Sequence, residues 1–154
     1  MQVKDFMKRN VLFVHPDHSI RSAAKLMLKY GIGSVLVMDS KREVVGIITE
    51  RDVARLVAEG KDVEKTFVKN AMSKNVIFLK EDDTLDDAAD LMIEHGIKKL
   101  PVEDEKGNLT GIITSTDIIL ADFKFVNVFK SMMEAQNKEE LELKSKVSKF
   151  EYDF

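Results

Sequence analysis

"GIITERD" spans residues 46–52 and "GIITSTD" spans residues 111–117, with five letters of seven in common at a spacing of 65. The match does not stop at the heptad. Laid over one another at that spacing, Val3–Val53 and Val68–Ile118 align without a gap, and 21 of the 51 pairs are identical. Others are conservative, such as Leu12 with Ile77 and Val44 with Leu109. The period is longer than most solenoid repeats, and two copies make no array. The pattern predicts a pseudo-symmetric pair of small α/β units packed on each other.

Each copy opens on a short lead-in, "VKDFM" or "VKNAM". An apolar run follows, "VLFV" (11–14) or "VIFL" (76–79), read as a strand. After a polar turn, Ser19 and Thr84 are placed to cap a helix, and Asp87 lies three residues after Thr84 as in a capping box. Ile20, Ala23, Ala24 and Met27 recur at helical spacing, as do Leu85, Ala88, Ala89 and Met92. Gly31 and Gly96 fall at the C-cap. Two strands joined by a hairpin turn come next. They are "SVLVM" (34–38) with "VVGIIT" (44–49), and "LPVE" (100–103) with "LTGIIT" (109–114). A second helix is expected from Asp52 to about Glu59, closed by Gly60, and from Asp117 onward.

The expected fold is therefore α/β (α+β), with β-α-β-β-α written twice. The first unit covers residues 1–62 and the second 66–122, with a C-terminal helical extension or tail over 123–154. Phe125, Phe129 and Met132 fit the apolar face of a long helix, and residues 136–154 suit an amphipathic helix, a partner-binding tail or a solvated tail.

Composition narrows the function. With no cysteine, disulfides and thiolate chemistry are excluded, which fits a reducing compartment. The opening MQVKDFMKRN lacks the apolar core of a secretory signal. No run approaches the ~18 apolar residues of a membrane span. The expectation is a soluble, cytoplasmic protein without membrane contact. The 24 basic and 27 acidic residues are interspersed and give a net charge of −3, so no basic patch points to nucleic acid. Much Lys and Glu, no Cys and only two Gln hint at a thermophile.

Catalytic patterns are missing. His15, His18 and His95 share no i, i+4 spacing, so no metal site is expected. Glu81, Asp82, Asp83, Asp86 and Asp87 have the charge to hold a divalent ion but read first as a solvated, helix-starting acidic turn. There is no P-loop and no legible Ser/His/Asp arrangement, so an enzyme is not expected. The eight methionines read mostly as core filler on helices.

The heptad supports two readings. Thr49-x-x-Asp52 and Thr114-x-x-Asp117 have the form of a capping box at a strand-to-helix turn. The same residues are parts of a nucleotide site. Glycine in a strand lets a ligand approach the backbone. A helix N-terminus offers N–H groups to phosphate. A carboxylate accepts both hydroxyls of a ribose.

The doubled unit, the two heptads and "HGIKKLPV" (95–102) together resemble the CBS domain, named after cystathionine β-synthase, over nearly all of residues 3–122. The kinship is with stand-alone prokaryotic proteins and with the CBS insert of inosine monophosphate dehydrogenase, where catalysis belongs to a separate barrel. The resemblance implies two clefts between the units that take adenine nucleosides: AMP, ADP, ATP, S-adenosylmethionine or NAD. By position, one cleft would use Ile47, Thr49, Arg51 and Asp52 with Asn75, Val76, Ile97 and Lys98. The other would use Ile112, Thr114, Thr116 and Asp117 with Asn10, Val11, Ile32 and Gly33.

The resemblance also implies a homodimer and a regulated protein partner. The function it implies is regulatory adenine-nucleotide binding, a non-catalytic sensing module; the alternative is a ligand-free dimerisation or interaction scaffold. Where the first cleft offers Arg51 and Lys98, the second offers Thr116 and Gly33, so the first is expected to prefer phosphorylated ligands and the second to take a less charged nucleoside or nothing. One departure alters a cleft wall, since Pro101 is answered by Leu36.

Overall fold

The computed structural model describes residues 1–121, 132–139 and 141–142. The chain divides into two compact units, Met1–Thr114 and Ser115–Phe154.

In the first unit each copy opens on a single 3-10 turn, Val3–Asp5 or Val68–Asn70. The first copy continues through β1 (Phe13–Val14), α1 (Ile20–Tyr30), β2 (Ser34–Met38), β3 (Val44–Thr49) and α2 (Glu50–Ala58). The second continues through β4 (Leu79–Lys80), α3 (Leu85–His95), β5 (Lys99–Glu103) and β6 (Leu109–Thr114). Two three-stranded sheets result, in the orders β1-β2-β3 and β4-β5-β6. In each, the outer short strand is parallel to the middle one and the hairpin is antiparallel. The hairpins share one register, Ser34↔Thr49 to Val37↔Gly46 and Lys99↔Thr114 to Val102↔Gly111.

The second unit opens on α4 (Ser115–Ala121), and residues 132–139 and 141–142 are helical. The chain order β-α-β-β-α is thus borne out in both copies. Phe125, Phe129 and the stretch from residue 143 onward lie outside the described residues. No helix among the described residues is long and apolar enough to cross a membrane.

The caps fall where local chemistry places them. Ser19 Oγ accepts from the Ser22 N–H at 3.1 Å. Thr84 and Asp87 form a reciprocal capping box, and Gly31 and Gly96 close their helices in the left-handed region at φ 62°. α2 and α4 begin at Glu50 and Ser115, two residues before the aspartates from which they were expected. In α2 the reason is that Thr49 is the N-cap, which puts Asp52 inside the first turn.

The two lead-ins are exchanged. The first copy's lead-in bonds to the second copy: Val3 N–H to Asp83 O (2.8 Å), Lys4 N–H to Glu81 O (3.0 Å), and Lys8 with Ile112 in both directions (2.8 and 2.9 Å). The second copy's lead-in does the same to the first. Val68 N–H reaches His18 O (2.8 Å), Lys69 N–H reaches Pro16 O (3.0 Å), and Ser73 pairs with Ile47 in both directions (2.9 Å each). Val68 is fully buried in the first copy's core with Val14, Ile20, Ala23, Met27, Val35, Val37, Ile48 and Leu56.

This exchange corrects three expectations. The runs "VLFV" and "VIFL" are not full strands, because the chain between Lys8 and Phe13, and between Ser73 and Leu79, must cross from one sheet to the other. The heptad glycines do not open the strand to a ligand. A Cβ on Gly46 would lie 2.5 Å from Met72 Sδ and 2.8 Å from Ser73 O; one on Gly111 would lie 2.5 Å from Met7 Sδ and 2.9 Å from Lys8 O. The close approach is made by the other copy's lead-in. Met7 and Met72 accordingly sit outside the helices, against those glycines, rather than at helical core positions.

Candidate functional site

The first heptad forms the corner between β3 and α2. Asp52 N–H donates to Thr49 Oγ1 at 3.2 Å, and Thr49 N–H donates to Asp52 Oδ2 at 2.9 Å. The Thr49 hydroxyl also lies 2.9 Å from Oδ2, as a donor. The cap is complete, so the plainer of the two readings of the heptad is realised here. A further group, absent from the sequence reasoning, sits on the same carboxylate. Arg55 Nη2 donates to Asp52 Oδ1 at 3.0 Å, and the Asp52 side chain is only 14% exposed. Arg51 is exposed and makes no ion pair with the described residues.

Two sets of bonds bring other elements to this corner. The Ile47–Ser73 pair is antiparallel and bonds the second copy's lead-in to β3 just before the corner, and Asn75 and Val76 follow it on the stretch that crosses to the other sheet. Asn75 is exposed and Val76 partly buried. At the start of β2, Ser34 is the ladder partner of Thr49, and its carbonyl accepts from Lys99 Nζ at 3.1 Å. Lys99 is in turn the ladder partner of Thr114. The Lys99 side chain therefore ties the Ser34–Thr49 pair of one sheet to the Lys99–Thr114 pair of the other. Ile97, partly buried, and Lys98, exposed, immediately precede Lys99.

Lys99 was missed in favour of its neighbour Lys98. The repeat makes Ser34 and Lys99 equivalent, 65 residues apart, but equivalence alone does not say which such pairs meet. Burial pushes the Lys99 ammonium pKa down, and the nearby Lys8 charge adds to that.

The second set is divided. The Lys8–Ile112 pair lays Asn10 and Val11 beside β6, with Asn10 exposed and Val11 partly buried. The Ile32 N–H donates to Met27 O at 3.0 Å at the end of α1. The carbonyl of the next residue, Gly33, accepts from Glu50 N–H at 3.0 Å. The Glu50 carboxylate also covers Gly33, its Cδ lying 3.5 Å from where a Cβ would project. Thr114 ends the first unit. Thr116 (exposed) and Asp117 (partly buried) belong to α4 of the second unit. Thus the first set lies wholly in one unit, and the second does not.

Chemically, the first corner offers the Asp52 carboxylate, the Thr49 hydroxyl and an exposed cation at Arg51, with Ile47 partly buried on β3. Among the described residues no group of three or more His, Cys, Asp or Glu is placed to hold a metal ion.

Comparison with known proteins agrees with this architecture. A protein of Methanopyrus kandleri is 38% identical over 120 residues, covering 77% of this chain. The match spans only 61% of that protein's length. The crystal structure of the CBS domain pair of protein MJ0100, in complex with 5'-methylthioadenosine and S-adenosyl-L-methionine, gives a TM-score of 0.69 at 34% identity. It covers 77% of this chain and 92% of that one. The structure of CBSX2 in complex with AMP gives a TM-score of 0.68 at 26% identity, covering 80% and 96%. The family model for the CBS domain matches twice, at residues 3–59 and 68–124, and the chain belongs to the CBS domain family.

Proposed function

We propose that this chain is a non-catalytic regulatory module that binds an adenine nucleotide (AMP, ADP or ATP) at the β3–α2 corner, as a homodimer, and passes its occupancy to a protein partner. The observation that carries this is the exchanged lead-in. The Ser73 backbone is bonded in both directions to Ile47, two residues before Thr49, and Lys99 of the second copy reaches the carbonyl of Ser34, the ladder partner of Thr49. The two copies thus supply complementary parts. Asp52 is an acceptor for ribose hydroxyls, Arg51 and Lys98 are cations for phosphate, and the apolar side chains flank a base. The adenine ligands of two similar CBS structures support the ligand class.

A ligand shifts the module only by binding two arrangements unequally. Because each lead-in is bonded to the other copy, a ligand that draws the residue 73–76 segment toward α2 acts on both copies.

A thermal-shift panel tests the proposal, with AMP, ADP, ATP, NAD, S-adenosylmethionine, adenosine and guanine counterparts. At a hundredfold excess over Kd, binding adds about 2.7 kcal/mol of stability. The expected result is a higher Tm with adenine nucleotides that is lost in Asp52→Asn. Arg51→Ala should weaken ATP more than adenosine. No shift with any compound returns the heptads to capping, the reading favoured by the complete Thr49–Asp52 box, and leaves an interaction scaffold.

A further inference from the structure

We propose that Arg55 makes the β3–α2 corner select phosphorylated ligands by exchanging the Asp52 carboxylate for a phosphate when a ribose docks; this rests on the corner being the nucleotide site. An ionised carboxylate has about four acceptor positions. Three on Asp52 are occupied: Oδ2 takes the Thr49 N–H and the Thr49 hydroxyl, and Oδ1 takes Arg55 Nη2. One position remains, and a vicinal diol needs two. Something must yield.

The Thr49 bonds are the worse candidates: the N–H bond closes the capping box and satisfies a backbone donor, and the hydroxyl bond is partly buried beside it. The Arg55 bond is the easier one. Its guanidinium is 51% exposed, whereas the carboxylate it holds is 14% exposed. A half-solvated guanidinium can turn to water when it leaves the pair, which a backbone N–H inside the helix turn cannot.

The released guanidinium does not stay idle. Arg51 and Arg55 lie four residues apart in α2 and so share one helix face. Both forks can then meet the same phosphate, in charge-assisted bonds stronger than the one given up. A nucleotide breaks the Asp52–Arg55 pair and replaces it. A nucleoside breaks it and replaces nothing. The position 65 residues on is Leu120, so the second copy has no equivalent of this exchange.

The test is calorimetric titration of the full chain with adenosine and with AMP, for the native protein, Arg55→Ala and Asp52→Asn. The native protein should bind AMP, and Asp52→Asn should abolish that binding. In Arg55→Ala the adenosine Kd should fall about threefold while the AMP Kd rises about threefold to tenfold, with Arg55→Lys between. A residue that merely steadied Asp52 would weaken both ligands together. Parallel losses, or no change in either, with Asp52-dependent binding intact, overturn the exchange alone. A native protein that binds neither ligand, or binding that survives Asp52→Asn, overturns the corner as a site and the exchange with it.

Discussion

Gly46 is legible in the sequence as a glycine that something must approach, but not as to what approaches it. A strand glycine reads equally as room for a ligand or for another stretch of backbone. The answer lies 26 residues on for Gly46, at Met72, and more than a hundred residues back for Gly111, at Met7. No local pattern carries a contact of that range. The consequence is specific. In Gly46→Ala the new Cβ meets a flexible thioether, which can move, and the Ser73 carbonyl, which is fixed by its own ladder bonds to Ile47. Overpacking of this kind costs roughly 1–3 kcal/mol. Chemical denaturation should show that loss, and adding Met72→Ala should restore only part of it because the Ser73 clash remains. Full restoration would mean that the side chain, not the backbone, is the tight neighbour.

Helices were the most legible elements, because their ends are written in adjacent residues. Ser19, Thr84 with Asp87, and the glycines after α1 and α3 each act within one turn. The first strand of each copy was the least legible. Apolar letters filled both runs, yet chain crossing between sheets leaves only Phe13–Val14 and Leu79–Lys80 in ladders. The capping chemistry also sets an acid limit. Asp87 has its carboxyl pKa held below the usual 3.8, first by the Thr84 N–H and then by the Thr84 hydroxyl. Asp104, in the β5–β6 turn, is lowered likewise, first by the Asn108 N–H. For such groups the folded pKa lies below the unfolded one. Their stabilising contribution is therefore present above pH 3.8 and is lost as pH falls through the lowered folded values. Urea unfolding followed from about pH 5 to about pH 2 should show stability falling across that window. Asp87→Asn should flatten the slope, and an unchanged slope would remove Asp87 from the account.

At the scale of the molecule, the repeat announced a pair of like units, while the exchange of lead-ins was hidden by the same repeat. Because Gln2 and Phe67 are equivalent, as are Ser19 and Thr84, the sequence is equally consistent with each lead-in folding onto its own copy or onto the other. The structure takes the second course throughout: Gln2 pairs with Thr84, and Phe67 with Ser19. Each copy is then incomplete by itself. The first copy's core lacks Val68 without its neighbour, and β6 lacks the Lys8 bonds at Ile112. A buried, unpaired backbone group and a missing apolar side chain both weigh against a lone copy. Yet either copy carries a lead-in and a receiving edge of the same kind. A fragment covering residues 66–121 should therefore be largely unfolded when dilute and fold by pairing with a second copy of itself, each lead-in closing on its partner. The Tm of such a fragment should rise with protein concentration, as linked association requires, and sedimentation should show a dimer where it is folded. A fragment that folds as a monomer, with a Tm independent of concentration, would mean that a lead-in can serve its own copy. The exchange would then be a choice between two near-equal pairings rather than a condition of folding.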